Sequence, residues 1–213
     1  MEHGVLAIWN DCAENREEEY ESWYLGEHFL ERISIPGFHY GRRYEAIGDG
    51  PRYFTHYITD TPDILTSEAY QLRLDNPTEM TKAVMTGVMT NVNRTVCKQV
   101  VADGSLRGGY ASTIRFSIPQ SHPPFLTCIE EALISSFVVH AEAWVAVDIK
   151  KNDLSKEEAI RGKDGTISGC LMLESTVESA IRMATKKIAS KMSNDAEIGF
   201  YQLICTLENK DIS

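Results

Sequence analysis

The sequence contains no run of about 20 apolar residues, which is the length that a membrane-spanning helix requires. Its first residues, MEHGVLAIWNDCAENREEE, have no basic segment and become acidic at once, unlike a signal peptide. Positive charge is also scarce, because 21 lysines and arginines face 31 aspartates and glutamates and give a formal net charge of −10. We therefore expect no membrane segment and no nucleic-acid ligand, since such a chain repels a phosphate backbone.

The five cysteines are scattered, and no two of them have the spacing of a CxxC motif or a zinc site. They lie in apolar, strand-like contexts, where a free cysteine behaves as a small hydrophobic residue. The sequence also lacks the GxxxxGK and GxGxxG nucleotide loops, the GxSxG elbow and the HExxH metal motif. These absences predict a reduced, cytoplasmic protein with no metal site and no organic cofactor.

What the sequence does contain is an order of secondary-structure elements that occurs twice. The first half has the strand GVLAIWNDC, an acidic helix ending at Pro36-Gly37, two strands around the turn GDGP, a helix interrupted at Asn76-Pro77, and the strand NRTVCKQVV. In the second half the predicted strands are YASTIRFSIP, FVVHAEAWVAVD, TISGCLMLEST and AEIGFYQLICTLE, and the predicted helices are PPFLTCIEEALISS and VESAIRMATKKIASKMS. The charged segment 150–165 is expected to be a loop, either a lid or a solvated connection.

Each half has the order β-α-β-β-α-β, which is the ferredoxin-like arrangement. We predict one such unit over residues 1–102, a glycine-rich linker over 103–108 and a second unit over 109–213. A sheet with helices on one face still has an apolar face to cover, and packing two sheets together covers both. The expected fold class is therefore α+β, with two ferredoxin-like units in one chain whose antiparallel sheets form an α+β barrel.

A motif in the first half resembles a known superfamily. The pattern W-Y-x-x-E-H-x-x-E-R-x-x-x-P-G-F begins at Trp23 and is followed by RRY (42–44), RYFTHYI (52–58) and LTSEAYQLRLDNPTEMT (65–81). This stretch is similar to the dimeric α+β-barrel superfamily and, within it, to EthD-like and related catabolic proteins. Members usually pair two single-unit chains into one barrel, whereas this chain carries both units. The barrel therefore closes either within one chain or across a homodimer.

The resemblance implies an enzyme for a small-molecule substrate in a catabolic pathway. Its implied chemistry is acid–base catalysis of the lyase or isomerase type, without an organic cofactor, on an aromatic or carboxylated compound. Two other functions remain open from the sequence. The barrel can enclose haem in a monooxygenase or peroxidase-like protein, with His140 as the axial ligand. It can also be a non-catalytic binding or stress-response module, because a fold does not determine a function.

His28 is the first candidate catalytic residue. It lies one helical turn after Tyr24 and one turn before Glu31 and Arg32. A neutral imidazole can accept or donate a proton near neutral pH. The resemblance supports this role, because a histidine at the end of this helix often faces the mouth of the barrel. The alternative is a histidine near a helix C-terminus that interacts only with the helix dipole.

Strand residues complete the candidate site, although alternation alone does not decide which face is inward. Arg43 could bind a substrate carboxylate, because a guanidinium matches that group bidentately. His56 is either a catalytic or a packed core residue, and His140, Glu142 and Trp144 share a strand face that is either solvated or inside the cavity. The predicted catalytic residues are His28, Arg43 and His56, and the predicted substrate-binding residues are Asn10, Trp23, Tyr24, Tyr57, His140 and Trp144.

Overall fold

The computed structural model describes residues 2–117, 125–135, 137–149, 154–192 and 196–212. Within these residues, eight antiparallel strands form one closed barrel, and the barrel closes within a single chain. The strands are β1 Gly4–Cys12, β2 Phe38–Ala46, β3 Tyr53–Thr59, β4 Met89–Asp103, β5 Tyr110–Phe116, β6 Val138–Ala146, β7 Gly169–Ser175 and β8 Glu197–Glu208.

The order of the strands around the barrel is β1-β3-β2-β8-β5-β7-β6-β4. The first four strands are neighbours in the order β4-β1-β3-β2, and the last four are neighbours in the equivalent order β8-β5-β7-β6. The halves join where β2 pairs with β8 and where β4 pairs with β6. This arrangement confirms the predicted α+β barrel, while the domain boundaries at 102 and 109 stay predictions.

The helices pack on the outside of the barrel and bury their apolar faces against the outward side of the strands. In the part of the chain that the structure describes, no helix is long and apolar enough to cross a membrane. The helices are α1 Glu17–Trp23, α2 Phe29–Ile33, α3 Glu68–Asp75, α4 Glu79–Gly87, α5 Phe125–Ile134, α6 Lys156–Arg161 and α7 Glu178–Ala189, with a π-helical turn at Tyr24–His28 and 3₁₀ turns at Pro62–Thr66 and Asn209–Asp211.

Two expectations about the helices have different outcomes. The predicted interruption at Asn76-Pro77 is confirmed, because it separates α3 from α4, and the Thr78 side chain accepts a hydrogen bond from the backbone of the new helix. The expectation of a loop over 150–165 is wrong for residues 156–161, which form α6. The predicted start of α5 at residues 123–124 lies outside the described residues.

Strand alternation produces two separate apolar layers. The barrel interior is filled by large side chains that include Trp9, Phe54, Trp144 and Tyr201, all of them fully buried. The outward faces pack against the helices in one cluster for each half of the chain. A site in this protein can therefore lie either inside the barrel or between the barrel wall and the helices.

Candidate functional site

The nine predicted site residues lie on the two sides of the barrel wall. The residues on the outer side either belong to the helix-facing apolar cluster of the first half or contact its side chains through hydrogen bonds and ring contacts. Those on the inner side lie among the aromatic side chains that fill the barrel. The structure therefore does not bring all nine together. The outer residues are Asn10, Trp23, Tyr24, His28, Arg43 and Tyr57, and the inner residues are His56, His140 and Trp144.

A π-helical turn sets the position of His28. The helix that begins at Glu17 changes from α to π geometry over Tyr24–His28 and returns to α geometry at Phe29. Within this turn Tyr24 and His28 are buried, whereas Leu25 is exposed. Such turns are rare and occur frequently at functional sites, because they change the direction in which the following side chains point.

A short hydrogen-bond chain fixes the aromatic neighbour of His28. The Trp23 ring lies 4.2 Å from the His28 ring, centroid to centroid, with an interplanar angle of 33°. Trp23 Nε1 donates to Thr81 Oγ1 at 3.0 Å, and Thr81 Oγ1 donates to Glu27 Oε1 at 2.9 Å. Because both donors have acceptors, the indole has one preferred orientation, and it holds the imidazole by stacking.

His28 is a buried and uncharged imidazole. Its pKa lies well below the ordinary value of 6.5, first because burial disfavours the cation and then because Arg32 and Arg161 repel it. Its Nδ1 atom is buried and has no hydrogen-bond partner among the residues that the structure describes. An unpaired buried polar atom is costly, so this nitrogen is available to a ligand.

A small cavity lies beside His28, between the outward face of β1 and the helices. Its volume is about 20 Å³, which is room for a water molecule and far below the roughly 300–1,000 Å³ of ordinary ligand pockets. One wall is apolar and the other carries charged and polar groups. The lining residues are Leu6, Ile8, Leu74, Met85, Met89 and Val92 on the apolar side, and His28, Arg32, Tyr70, Arg94, Glu157 and Arg161 on the polar side.

Two arginines of the first half line this cavity and lie close to carboxylates of α6. Arg32 Nη2 lies 2.6 and 2.5 Å from the two carboxylate oxygens of Glu157, and both side chains are almost fully buried. Arg94 donates to Tyr70 Oη at 2.5 Å, and its Nη1 lies 3.9 Å from Glu158 Oε1. The second half of the chain therefore supplies the negative charge for a site in the first half.

Arg43, the predicted carboxylate anchor, is already engaged. Its two terminal nitrogens each donate to a carboxylate oxygen of Glu21 at 2.7 Å. The guanidinium carbon also lies 4.4 Å from the centre of the Tyr24 ring and 4.6 Å from that of Tyr53. This arrangement fixes the acidic helix to β2, and Arg43 does not line the cavity beside His28.

Asn10 and Tyr57 likewise bond to neighbouring tyrosines. Asn10 Nδ2 donates to Tyr20 Oη at 2.8 Å. The hydroxyls of Tyr24 and Tyr57 lie 3.0 Å apart. These bonds hold the aromatic cluster next to His28, so the structure gives these residues a supporting position, and their predicted contact with substrate stays a prediction.

The inner residues form a second polar group within the barrel. His140 Nδ1 is bonded to the Gly104 carbonyl oxygen at 2.8 Å, and its Nε2 lies 3.8 Å from Glu142 Oε1. His56 is fully buried, and neither of its ring nitrogens has a hydrogen-bond partner in the described part of the chain. Burial is the main reason that the His56 pKa falls to about 3, so this side chain is uncharged at neutral pH. Trp144 lies beside it, with ring centroids 5.5 Å apart.

Neither histidine environment fits haem. His140 does have a bonded Nδ1 and an unpaired Nε2, as axial ligands often do. However, Phe54, Trp144 and Tyr201 fill the barrel interior, and the cavity at His28 is too small for a porphyrin. The described residues also contain no group of three or more histidine, cysteine, aspartate and glutamate side chains that could hold a metal ion.

No family model matches the chain, and no curated protein matches it in sequence. Solved structures do match it over nearly its whole length. An anthrone oxidase-like protein has a TM-score of 0.61 at 8% identity, covering 100% of this chain and 95% of its own. A proposed monooxygenase from Lactobacillus acidophilus NCFM has a TM-score of 0.59 at 8% identity, covering 98% and 97%. A proposed chlorite dismutase has a TM-score of 0.55 at 13% identity, covering 100% and 97%. These similarities show the α+β-barrel fold.

The comparisons overturn the predicted chemistry. The prediction of an acid–base lyase or isomerase is wrong, because the similar structures bear the names of oxidase-like, monooxygenase and chlorite dismutase proteins. None of these three bears an EthD-like name, so the finer assignment stays a prediction.

Sequence reasoning missed Glu157 and its ion pair with Arg32. Glu157 lies in the SKEE stretch that begins at Ser155, where serine followed three residues later by glutamate is a capping-box pattern. The structure has this capping box between Ser155 and Glu158. That local signal could have identified α6, but no local signal connects Glu157 to Arg32, which is 125 positions away.

Proposed function

We propose that the protein is an oxidase of the monooxygenase type, which uses dioxygen to oxidise a small aromatic compound bound beside His28. The observation that carries this proposal is the His28 site: a buried, uncharged imidazole with an unpaired Nδ1, bordering a cavity with an apolar wall. The names of the structures that share the fold support an oxygen-dependent reaction over other chemistry.

The proposed reaction, which follows the name of the anthrone oxidase-like structure, converts a methylene group between two aromatic rings into a carbonyl group. The methylene carbon loses two hydrogens and four electrons, and it gains one oxygen atom from dioxygen. The second oxygen atom leaves as water together with the two hydrogens. Dioxygen accepts all four electrons, so the balance requires no further reductant.

In this proposal His28 accepts the proton of the acidic C–H or O–H group of the substrate. Burial is the main cause of the lowered pKa of His28, and Arg32 and Arg161 lower it further, while their positive charge also lowers the pKa of an acid bound beside them. The field of the arginines therefore does not make the transfer from substrate to imidazole less favourable. Trp23 holds the imidazole by stacking, and the apolar wall excludes water from the reacting group.

The proposal keeps several finer points from the sequence. We propose that the first hundred or so residues are EthD-like, that the protein is cytoplasmic, and that two ferredoxin-like units meet at the linker 103–108. The five cysteines are free, as a reducing compartment requires.

We also propose a homodimer, in which two complete barrels associate, since each chain closes its own barrel. Native mass spectrometry measures the number of chains directly.

The test compares two histidine variants in an oxygen-uptake assay with anthrone as the probe. His28→Gln removes the ionisable imidazole from the cavity and should lower kcat by about 10²–10⁴-fold, as loss of a general base does. His39→Gln is the matched control, because His39 is exposed and pairs with Asp60 at 2.8 Å. We expect wild-type oxidation in the control. Equal rates for His28→Gln and the wild type would contradict the proposal, as would a wild-type protein that consumes no oxygen with either anthrone or an anthrone carboxylate.

A further inference from the structure

Helix α6 belongs by sequence to the second half of the chain but packs on the first half. It lies in the long connection between β6 and β7, and its contacts are with α3 and α4. The backbone nitrogen of Lys156 donates to Asp75 Oδ1 at 3.1 Å, and beyond the helix Gly165 pairs with β4 through Asn93. The helix thus spans the outer end of the cavity beside His28.

The side chain of α6 that is buried most deeply is a carboxylate. Glu157 is 2% exposed, and its partner Arg32 is 3% exposed. An ion pair taken out of water gains little over apolar packing, because desolvating both charges costs about as much as their attraction returns. A buried pair at this position is therefore weak evidence for a stabilising role and is better explained by what Arg32 can bind.

Arg32 retains capacity for a further acceptor. Its Nη1 atom is buried and has no hydrogen-bond partner in the residues that the structure describes, although Nη2 contacts both oxygens of Glu157. Arg94, the second cation of the first half at this cavity, lies 3.9 Å from a carboxylate of the same helix. A planar carboxylate that met Arg32 through both terminal nitrogens would satisfy the guanidinium more completely than Glu157 does.

The cavity volume requires that something move before a substrate can bind. A space of about 20 Å³ holds water but no aromatic compound. The element best suited to move is α6, which has six residues and buries one large apolar side chain, Ile160, only in part, whereas its other largely buried side chains, Glu157, Glu158 and Arg161, are charged. Few buried apolar contacts make local opening inexpensive. Gly162 follows the helix with a φ of +86°, a backbone conformation that other residues rarely adopt, and it can serve as a hinge.

We propose that α6 is a displaceable plug, and that the ligand of the His28 site is a flat aromatic compound bearing one carboxylate. The ligand carboxylate replaces Glu157 on Arg32, the aromatic body lies along the apolar wall from Leu6 to Met85, and α6 moves outward. This inference rests on the proposed function for the location of the site, and it adds the substrate class and the means of entry.

The test measures binding by isothermal titration calorimetry, without oxygen, using 2-naphthoate as the anionic probe and 2-naphthamide as its neutral analogue. Glu157→Gln keeps the shape of the plug but removes its charge, so we expect naphthoate to bind at least ten-fold more tightly than to the wild type. Naphthamide should show no such gain. Glu131→Gln is the matched control, because it removes one negative charge from an exposed pair with Lys191. Wild-type affinity is expected there.

A second measurement keeps the inference testable if Glu157→Gln does not fold. In the wild type, saturating naphthoate should raise the hydrogen-exchange rates of the amides of α6 while leaving those of α7 unchanged. The inference is overturned if Glu157→Gln binds naphthoate no more tightly than the wild type, or if naphthoate leaves or slows exchange in α6. Binding without oxygen uptake would overturn only the proposed function, and oxidation of anthrone without naphthoate binding would overturn only this inference.

Discussion

Two buried histidines of the first half differ in what surrounds them. His28 borders a cavity and stacks on Trp23, with one ring nitrogen unpaired. His56 lies among aromatic rings inside the barrel, with Phe54 and Trp144 about equally close. A proton acceptor needs room beside it for the donor, so the surroundings favour His28 as the functional residue and give His56 a packing role.

The burial of His56 makes stability depend on pH. Its pKa in the folded protein is about 3, mainly through burial, against 6.5 for an exposed imidazole. As the pH falls, the unfolded chain binds the proton first, so the stability that this residue contributes is complete above about pH 6.5 and is lost as the pH falls towards 3. Replacing His56 by Phe should remove this loss, which is about 2.5 kcal/mol between pH 7 and 4.5.

Urea denaturation of wild type and His56→Phe at several pH values between 7 and 4.5 measures the difference. Glu142, Arg42, Arg107 and His140 all interact with His56, and the first of these opposes the shift, so the comparison is made between slopes rather than at one pH. Parallel slopes for wild type and His56→Phe would mean that His56 is not buried as an uncharged group.

At the scale of elements, the π-helical turn and α6 are the features that make the site. The strand and helix order of both halves could be predicted, because strand alternation, helical spacing and the Pro-Gly and Asn-Pro breaks are local signals. The segment of α6 is short and highly charged, which is typical of a solvated loop. Its capping-box pattern was the sequence signal that indicated a helix. A π turn has no comparable sequence signal.

Removing the cap of α6 should increase its local opening. The Ser155 side chain accepts a hydrogen bond from the Glu158 backbone N–H at 3.3 Å, and the Ser155 backbone N–H donates one to the Glu158 carboxylate at 3.1 Å. Loss of such a cap costs about 1 kcal/mol. In Ser155→Ala we expect hydrogen exchange of the α6 amides to rise about five-fold, with exchange in the barrel strands unchanged.

The N-cap of α3 provides the control for this experiment. Ser67 Oγ accepts from the Tyr70 backbone at 3.3 Å, so Ser67→Ala should change exchange in α3 and leave α6 as in the wild type. If Ser155→Ala raised exchange in the strands as much as in α6, the helix would open only with the whole protein, and it could not serve as a separate plug.

At the scale of the molecule, the barrel could be predicted and the site only in part. Each predicted sheet has two apolar faces, of which the helices cover only one. The other face needs a second sheet, and this requirement predicts the barrel. The site depends on contacts that span the sequence, above all between Arg32 and Glu157. Arg43 shows the same limit at shorter range, because pairing with Glu21 and stacking on tyrosines could not be read from strand alternation. His28 could be proposed from the sequence because its helix carries the family-like motif, and its role stays a prediction.

The most direct test of the account is a crystal structure of the protein with 2-naphthoate. The account predicts the naphthalene ring between the outward face of β1 and the helices, next to His28, with the carboxylate on Arg32 and with α6 displaced. Electron density for the ligand inside the barrel beside His56 and His140, or a bound ligand with the Glu157–Arg32 pair intact, would contradict it.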